Sequence, residues 1–158
     1  MIGISTIAGE FTRLDYPKSL DPGEDIEIKV DGNLVDLSKS WLDFWQGCFT
    51  AECAGYKAKD QFFGAGTVIG PAWALTLRLG SMPSSSITII VKMWANDSYW
   101  AGWDWDRIAE LGWEEIVTKT ITIKVKAEEA GFPWKWVALG GGILIAVTAV
   151  SLVGRTPK

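Results

Sequence analysis

Apolar and polar residues alternate with period two along much of the first 126 positions. Ile26-Glu27-Ile28-Lys29-Val30 alternates strictly, and so does Ile121-Thr122-Ile123-Lys124-Val125-Lys126. Trp73, Leu75, Leu77 and Leu79 share one face of a run. Ile87, Ile89, Val91 and Met93 share another, with Thr88 and Lys92 opposite. Period two with polar partners is the pattern of strands buried on one side. Turn chemistry separates the runs: Asp21-Pro22-Gly23, Asp31-Gly32 and Gly80-Ser81-Met82-Pro83. Proline there fixes φ and glycine accepts positive φ. The spacing predicts seven strands, near 4–16, 25–31, 41–50, 55–63, 72–80, 86–95 and 118–126. Short alternating strands at this density predict a mainly β fold, an antiparallel sandwich. Two stretches also fit short helices: 41–47 behind a Ser40 cap, and 104–111.

The pattern changes abruptly near the end. Val137 to Val153 is 17 residues without a charge. Counted from Trp134 it is 20 residues, about 30 Å of helix, the thickness of a bilayer's hydrocarbon core. Trp134 and Trp136 flank one end with Lys135 between them, and Arg155 and Lys158 close the other. Indoles favour the headgroup level and basic residues favour the water beyond it. The organisation expected is a β-sandwich over 1–130, a linker with interfacial aromatics at 131–136, a transmembrane helix at 137–154 and a basic tail at 155–158. Ala138, Gly142 and Ala146 recur every fourth residue along the span, a stripe of small residues on which another helix can pack. MIGISTIAGEF lacks the basic start and unbroken apolar run of a secretory signal. A single C-terminal anchor is therefore expected.

Charge follows the same division. All 19 acidic residues and 12 of the 15 basic ones precede residue 134, giving −7 there, and the last 25 residues carry +3. An acidic domain without a basic stripe is not expected to bind nucleic acid. The chain has no histidine, which excludes Ser-His-Asp and Cys-His catalysis and His-ligated metals. No nucleophile, base and orienting group can be assembled, so no enzyme activity, catalytic residue, metal or cofactor is expected.

Candidate binding chemistry concentrates where Trp94, Tyr99, Trp100, Trp103, Trp105 and Trp113 crowd into 20 residues. Indole joins a large apolar area to one hydrogen-bond donor, which suits sugar rings and protein interfaces. Tyr99, Trp100, Trp103 and Trp105 are the candidate ligand or partner surface. Trp94 and Trp113 read as mostly core, and Trp100 and Trp103 as nearer a rim. Asp97, Asp104 and Asp106 offer oxygen ligands for calcium without EF-hand spacing. Asp104 and Asp106 would share a face of an extended segment, as paired carboxylates for glycoside hydrolysis would. Cys48 and Cys53 are close enough in sequence for a disulfide around a tight loop, or they are two thiols. Gly64 to Gly70 misses the dinucleotide fingerprint by one residue and reads as a flexible or bulged connection. Asn96-Asp97-Ser98 is a glycosylation sequon.

Pro17-Lys18-Ser19-Leu20-Asp21-Pro22-Gly23-Glu24 before an alternating strand resembles the entry to an immunoglobulin-like or CARDB-like adhesion domain. Val68-Ile69-Gly70-Pro71, then Trp73 to Leu79, Met82-Pro83 and Ile87 to Trp94 resemble the later half, with the Pro-Gly turn reversed to Gly70-Pro71. The whole also looks like small sandwich proteins ending in one span, found among structural proteins of archaeal viruses and proviruses. The resemblance implies a structural or adhesive role in a virion membrane or cell envelope. The partners then expected are the lipid bilayer and further copies of the chain, or other particle proteins. A carbohydrate- or ligand-binding module built on residues 94–113 is the other class the residues allow.

Overall fold

A computed structural model describes residues 7–70 and 75–126. Among them are nine strands: β1 (Ile7–Asp15), β2 (Ser19–Leu20), β3 (Asp25–Asp36), β4 (Phe44–Cys53), β5 (Tyr56–Ala65), β6 (Val68–Ile69), β7 (Leu75–Ser81), β8 (Ile87–Asn96) and β9 (Glu114–Val125). The chain is mainly β and its sheets are mostly antiparallel. In one sheet β3 lies between β1 and the pair β6 and β7. β6 meets Leu34 and Val35, while β7 runs along Asp25 to Val30. The second sheet has the order β2-β9-β8-β4-β5, and β2 joins β9 in parallel.

The alternating residues decide which faces are buried. Ile26, Ile28, Val30 and Leu34 of β3 have no exposed surface, and neither do Ile89, Val91 and Met93 of β8 or Ile123 of β9. Phe11 of the first sheet stacks on Phe49 of the second at 5.9 Å, and Phe49 on Phe62 at 4.9 Å. Each such side chain contributes roughly 1.5–3 kcal/mol on burial.

All seven strands expected from the alternation that fall on described residues are present, with altered limits. β3 runs on past Asp31-Gly32, where the sequence reads as a turn. Gly32 lies opposite Phe11, and a Cβ there would stand 2.9 Å from the Glu10 carbonyl and 3.0 Å from Met93 Sδ. This glycine lets neighbouring chains approach instead of bending its own. The helix considered over 41–47 is a single turn: Asp43 N donates to Ser40 O and Ser40 N to the Asp43 carboxylate, and the strand starts at Phe44. The Ser40 backbone N–H, and after it the Ser40 hydroxyl, hold the Asp43 carboxyl below its usual range. Residues 104–111 form turns, with Leu111 N donating to Arg107 O at 3.0 Å.

Cys48 and Cys53 are free thiols. Both belong to β4, five residues apart, so they face opposite sides some 17 Å from each other along the strand. A disulfide needs Cα atoms within about 7 Å. The expected transmembrane helix with Ala138, Gly142 and Ala146, its flanks Trp134, Lys135, Trp136, Arg155 and Lys158, and the linker lie outside the described residues. Among the described residues no helix is long and apolar enough to cross a membrane.

Candidate functional site

β4 is buried along almost its whole length, on both faces. Trp45, Phe49 and Ala51 face the first sheet; Gln46, Cys48 and Thr50 face outward. Their cover comes from the long connection after β8. Residues 97–113 fold back over the outer face of the second sheet, and Cys48, Trp94 and Trp113 form a satellite core there with Ala101, Trp103, Ile108 and Leu111.

Buried polar groups hold this connection down. Gln46 Nε2 donates to the carbonyls of Ser98 (2.8 Å) and Ala101 (3.0 Å). Asn96 Nδ2 donates to Leu111 O, and Asn96 Oδ1 accepts from Ser98 N, both at 2.8 Å. Trp113 Nε1 donates to Gly102 O and Trp94 Nε1 to Thr50 Oγ. Asn96 is 3% exposed with both amide atoms engaged, so the folded chain does not offer this sequon to a glycosylating enzyme. Burial pushes the Cys48 thiol up to about 12 and raises that of Cys53.

The four aromatic candidates divide into two pairs. Trp103 packs edge-on to Trp94 at 5.8 Å, Trp105 at 5.3 Å and Trp113 at 5.1 Å. It is partly buried against the satellite core, and its indole N–H is buried without a partner. Trp105 is half-buried and has the Lys57 ammonium 5.1 Å from its ring. Tyr99 and Trp100 stand at the open end of the sheet. Trp100 is 87% exposed, and its ring meets Tyr99 at 5.0 Å. Tyr99 in turn meets Phe44 at 5.6 Å and Phe63 at 5.0 Å.

Phe44 and Phe63 were not legible as site residues, and neither were Trp41, Leu42 and Leu37, all of which are exposed. Three connections meet at the end of the β domain where β4 begins, bringing residues 37–43 beside residues 66–67 and the start of the Trp-rich connection. Asp36 N donates to Thr67 O, Thr67 Oγ to Lys39 O, and Gly66 N to Asp43 O. The Lys39 ammonium pairs with the Asp97 carboxylate, which ties residues 37–43 to the Trp-rich connection. Below Tyr99 and Trp100 an open cleft of about 340 Å³ is lined by Gln46, Gln61, Phe63, Tyr99, Trp100 and Ala101. Gln61 Nε2 donates to Gln46 Oε1 at 3.0 Å, so the two amides are held in line.

The carboxylates are dispersed. Asp97 is engaged by Lys39, and Asp104 Oδ1 accepts the backbone N–H of Asp106. Among the described residues no group of three or more Cys, Asp or Glu side chains could hold a metal ion. The aromatic end lies where β9 begins, with Glu114 opposite Ala95. Val125, where β9 leaves the domain, is at the other end, some 37 Å along the strand. Compared with known proteins, the chain matches no family model and no curated protein.

Proposed function

We propose that this chain is a membrane-anchored structural or adhesion protein. It displays an immunoglobulin-like β-sandwich on a viral particle or cell surface and meets its partners through the aromatic end. The observation that carries the reading is the position of the exposed apolar cluster. Trp41, Leu42, Phe44 and Trp100 gather at the end remote from Val125, which leads toward the apolar segment 137–153. Contiguous exposed apolar surface on a domain of this size marks an interaction site. A domain held at its C-terminal end presents such a surface outward. The uncharged segment with tryptophans at one flank and basic residues at the other supports the anchor. The small-residue stripe supports association of several copies.

Carbonate extraction of membranes from cells making the full chain, beside a chain ending at residue 126, tests this. The full chain is expected to stay in the membrane pellet and the shorter one to be soluble. In the full chain, Trp41→Ser with Phe44→Ser is expected to reduce adhesion or particle assembly without changing membrane retention. Release of the full chain by carbonate would overturn the anchor. Unchanged adhesion and assembly in the double variant would overturn the role of the aromatic end.

A further inference from the structure

The geometry points to a neutral saccharide as the ligand of the cleft between Phe63, Tyr99 and Trp100. This inference rests on the reading that the aromatic end meets partners, and it names one of them. Three features of the cleft converge. Its wall is an aromatic ladder, Phe63 to Tyr99 to Trp100 in steps of 5.0 Å, ending in an indole that is 87% exposed. The apolar face of a pyranose, a patch of axial C–H groups, packs on such rings as other apolar groups do. Its floor is a pair of amides, Gln46 and Gln61, joined to each other at 3.0 Å and so fixed in direction. Gln46 is fully buried, with both Nε2 protons committed to Ser98 and Ala101 and its Oε1 accepting from Gln61, so it is the backing that fixes the Gln61 amide. Gln61 keeps one N–H beyond its bond to Gln46, and its Oε1 accepts from Lys59 Nζ. The remaining N–H of Gln61 and the second lone pair of its Oε1 put a donor and an acceptor on one part-exposed amide, matching the adjacent hydroxyls of a sugar, each of which both gives and takes a hydrogen bond.

The third feature is charge. None of the six lining side chains is ionic, and the nearby Lys59 ammonium is engaged by Gln61 Oε1, so the lining itself favours an uncharged ligand. A proline-rich peptide also favours aromatic grooves, but it brings carbonyl acceptors with few donors, and half of the amide floor would go unanswered. The volume of about 340 Å³ lies at the small end of ligand sites and opens to one side, which fits one or two residues of an exposed glycan.

The test uses the full chain in a detergent without sugar headgroups. Intrinsic tryptophan fluorescence is titrated with cellohexaose, xylohexaose, mannohexaose, an oligogalacturonate and decaproline. Saturable binding of a neutral hexasaccharide is expected. Trp100→Ala should weaken it about tenfold or more, consistent with loss of a stacked ring, and Trp100→Phe should retain most of it. Gln61→Ala should weaken it with near-UV circular dichroism unchanged. Ile90→Ala, exposed but outside both the cleft and the aromatic end, should bind as the parent does. No binding by any neutral hexasaccharide at millimolar concentration would overturn the inference. So would unchanged affinity in Trp100→Ala, or binding by decaproline or oligogalacturonate in their place. Loss of adhesion in the Trp41 and Phe44 double variant with no saccharide bound would remove the ligand and leave the adhesive reading standing. Saccharide binding by a chain that carbonate extracts would do the reverse.

Discussion

At Gly47 the space where a Cβ would stand is already taken. Phe62 Cζ lies 2.2 Å from that point and Leu34 Cδ1 2.7 Å. Phe62 is itself wedged against Phe49, so its ring cannot swing clear at low cost. Gly47→Ala is expected to cost about 1–3 kcal/mol, read from urea unfolding as a lower midpoint with an unchanged slope. One position along, burial keeps Cys48 a neutral thiol. Native protein at pH 8 is expected to react with a maleimide at Cys53, and at Cys48 only after unfolding. The sign of the pH dependence follows. A thiol ionises near 8.5 in the unfolded chain and at about 12 in the fold, so the unfolded state loses its proton first. The contribution of Cys48 to stability therefore falls as pH rises from about 8.5 toward 12, and Cys48→Ala should flatten that slope.

Among the elements, the connection 97–113 is held down by a set of buried polar groups and the satellite core. Asn96 bonds both of its ends, to Ser98 and to Leu111. Asn96→Ala is expected to destabilise the protein by about 1–3 kcal/mol. It should also diminish the tryptophan near-UV circular dichroism while the far-UV signal of the strands persists. β3 and β9 announce themselves through strict alternation, because the apolar positions of each face the core. β4 does not, because the second face that would be polar on an ordinary strand is covered by the Trp-rich connection. β2 and β6, of two residues each, are too short to show any period. Trp100 was legible as exposed because it lies in a polar loop. The packing of Trp103, three residues later, was not legible, because Trp94 lies at the end of β8 and Trp113 at the far end of the connection. Trp41, Phe44 and Phe63 look like core by composition. Their exposure follows from three loops meeting at one end, a long-range arrangement without a local signal.

On the scale of the molecule, the two ends of the β domain differ in kind. The end at Val125 leads toward the apolar C-terminal segment and includes the short parallel pairing of Ser19 and Leu20 with Lys124 and Val125. The far end carries the aromatic cluster and the cleft. The acidic balance of −7 before residue 134 favours mutual repulsion of neighbouring domains except where apolar surface brings them together. Contacts through the aromatic end are therefore expected to tighten as salt screens that repulsion.

The position of β9 has a mechanical consequence. It lies between β2 and β8, bonded to β8 from Glu114 to Ile123 and to β2 at its last two residues. A domain held beyond Val125 and gripped at its aromatic end would carry tension parallel to β9. The load would then fall on the whole ladder at once, in shear, rather than peeling one hydrogen bond after another. Strands loaded in shear share the force among all their bonds, so tension along β9 would meet its ladders to β8 and β2 together.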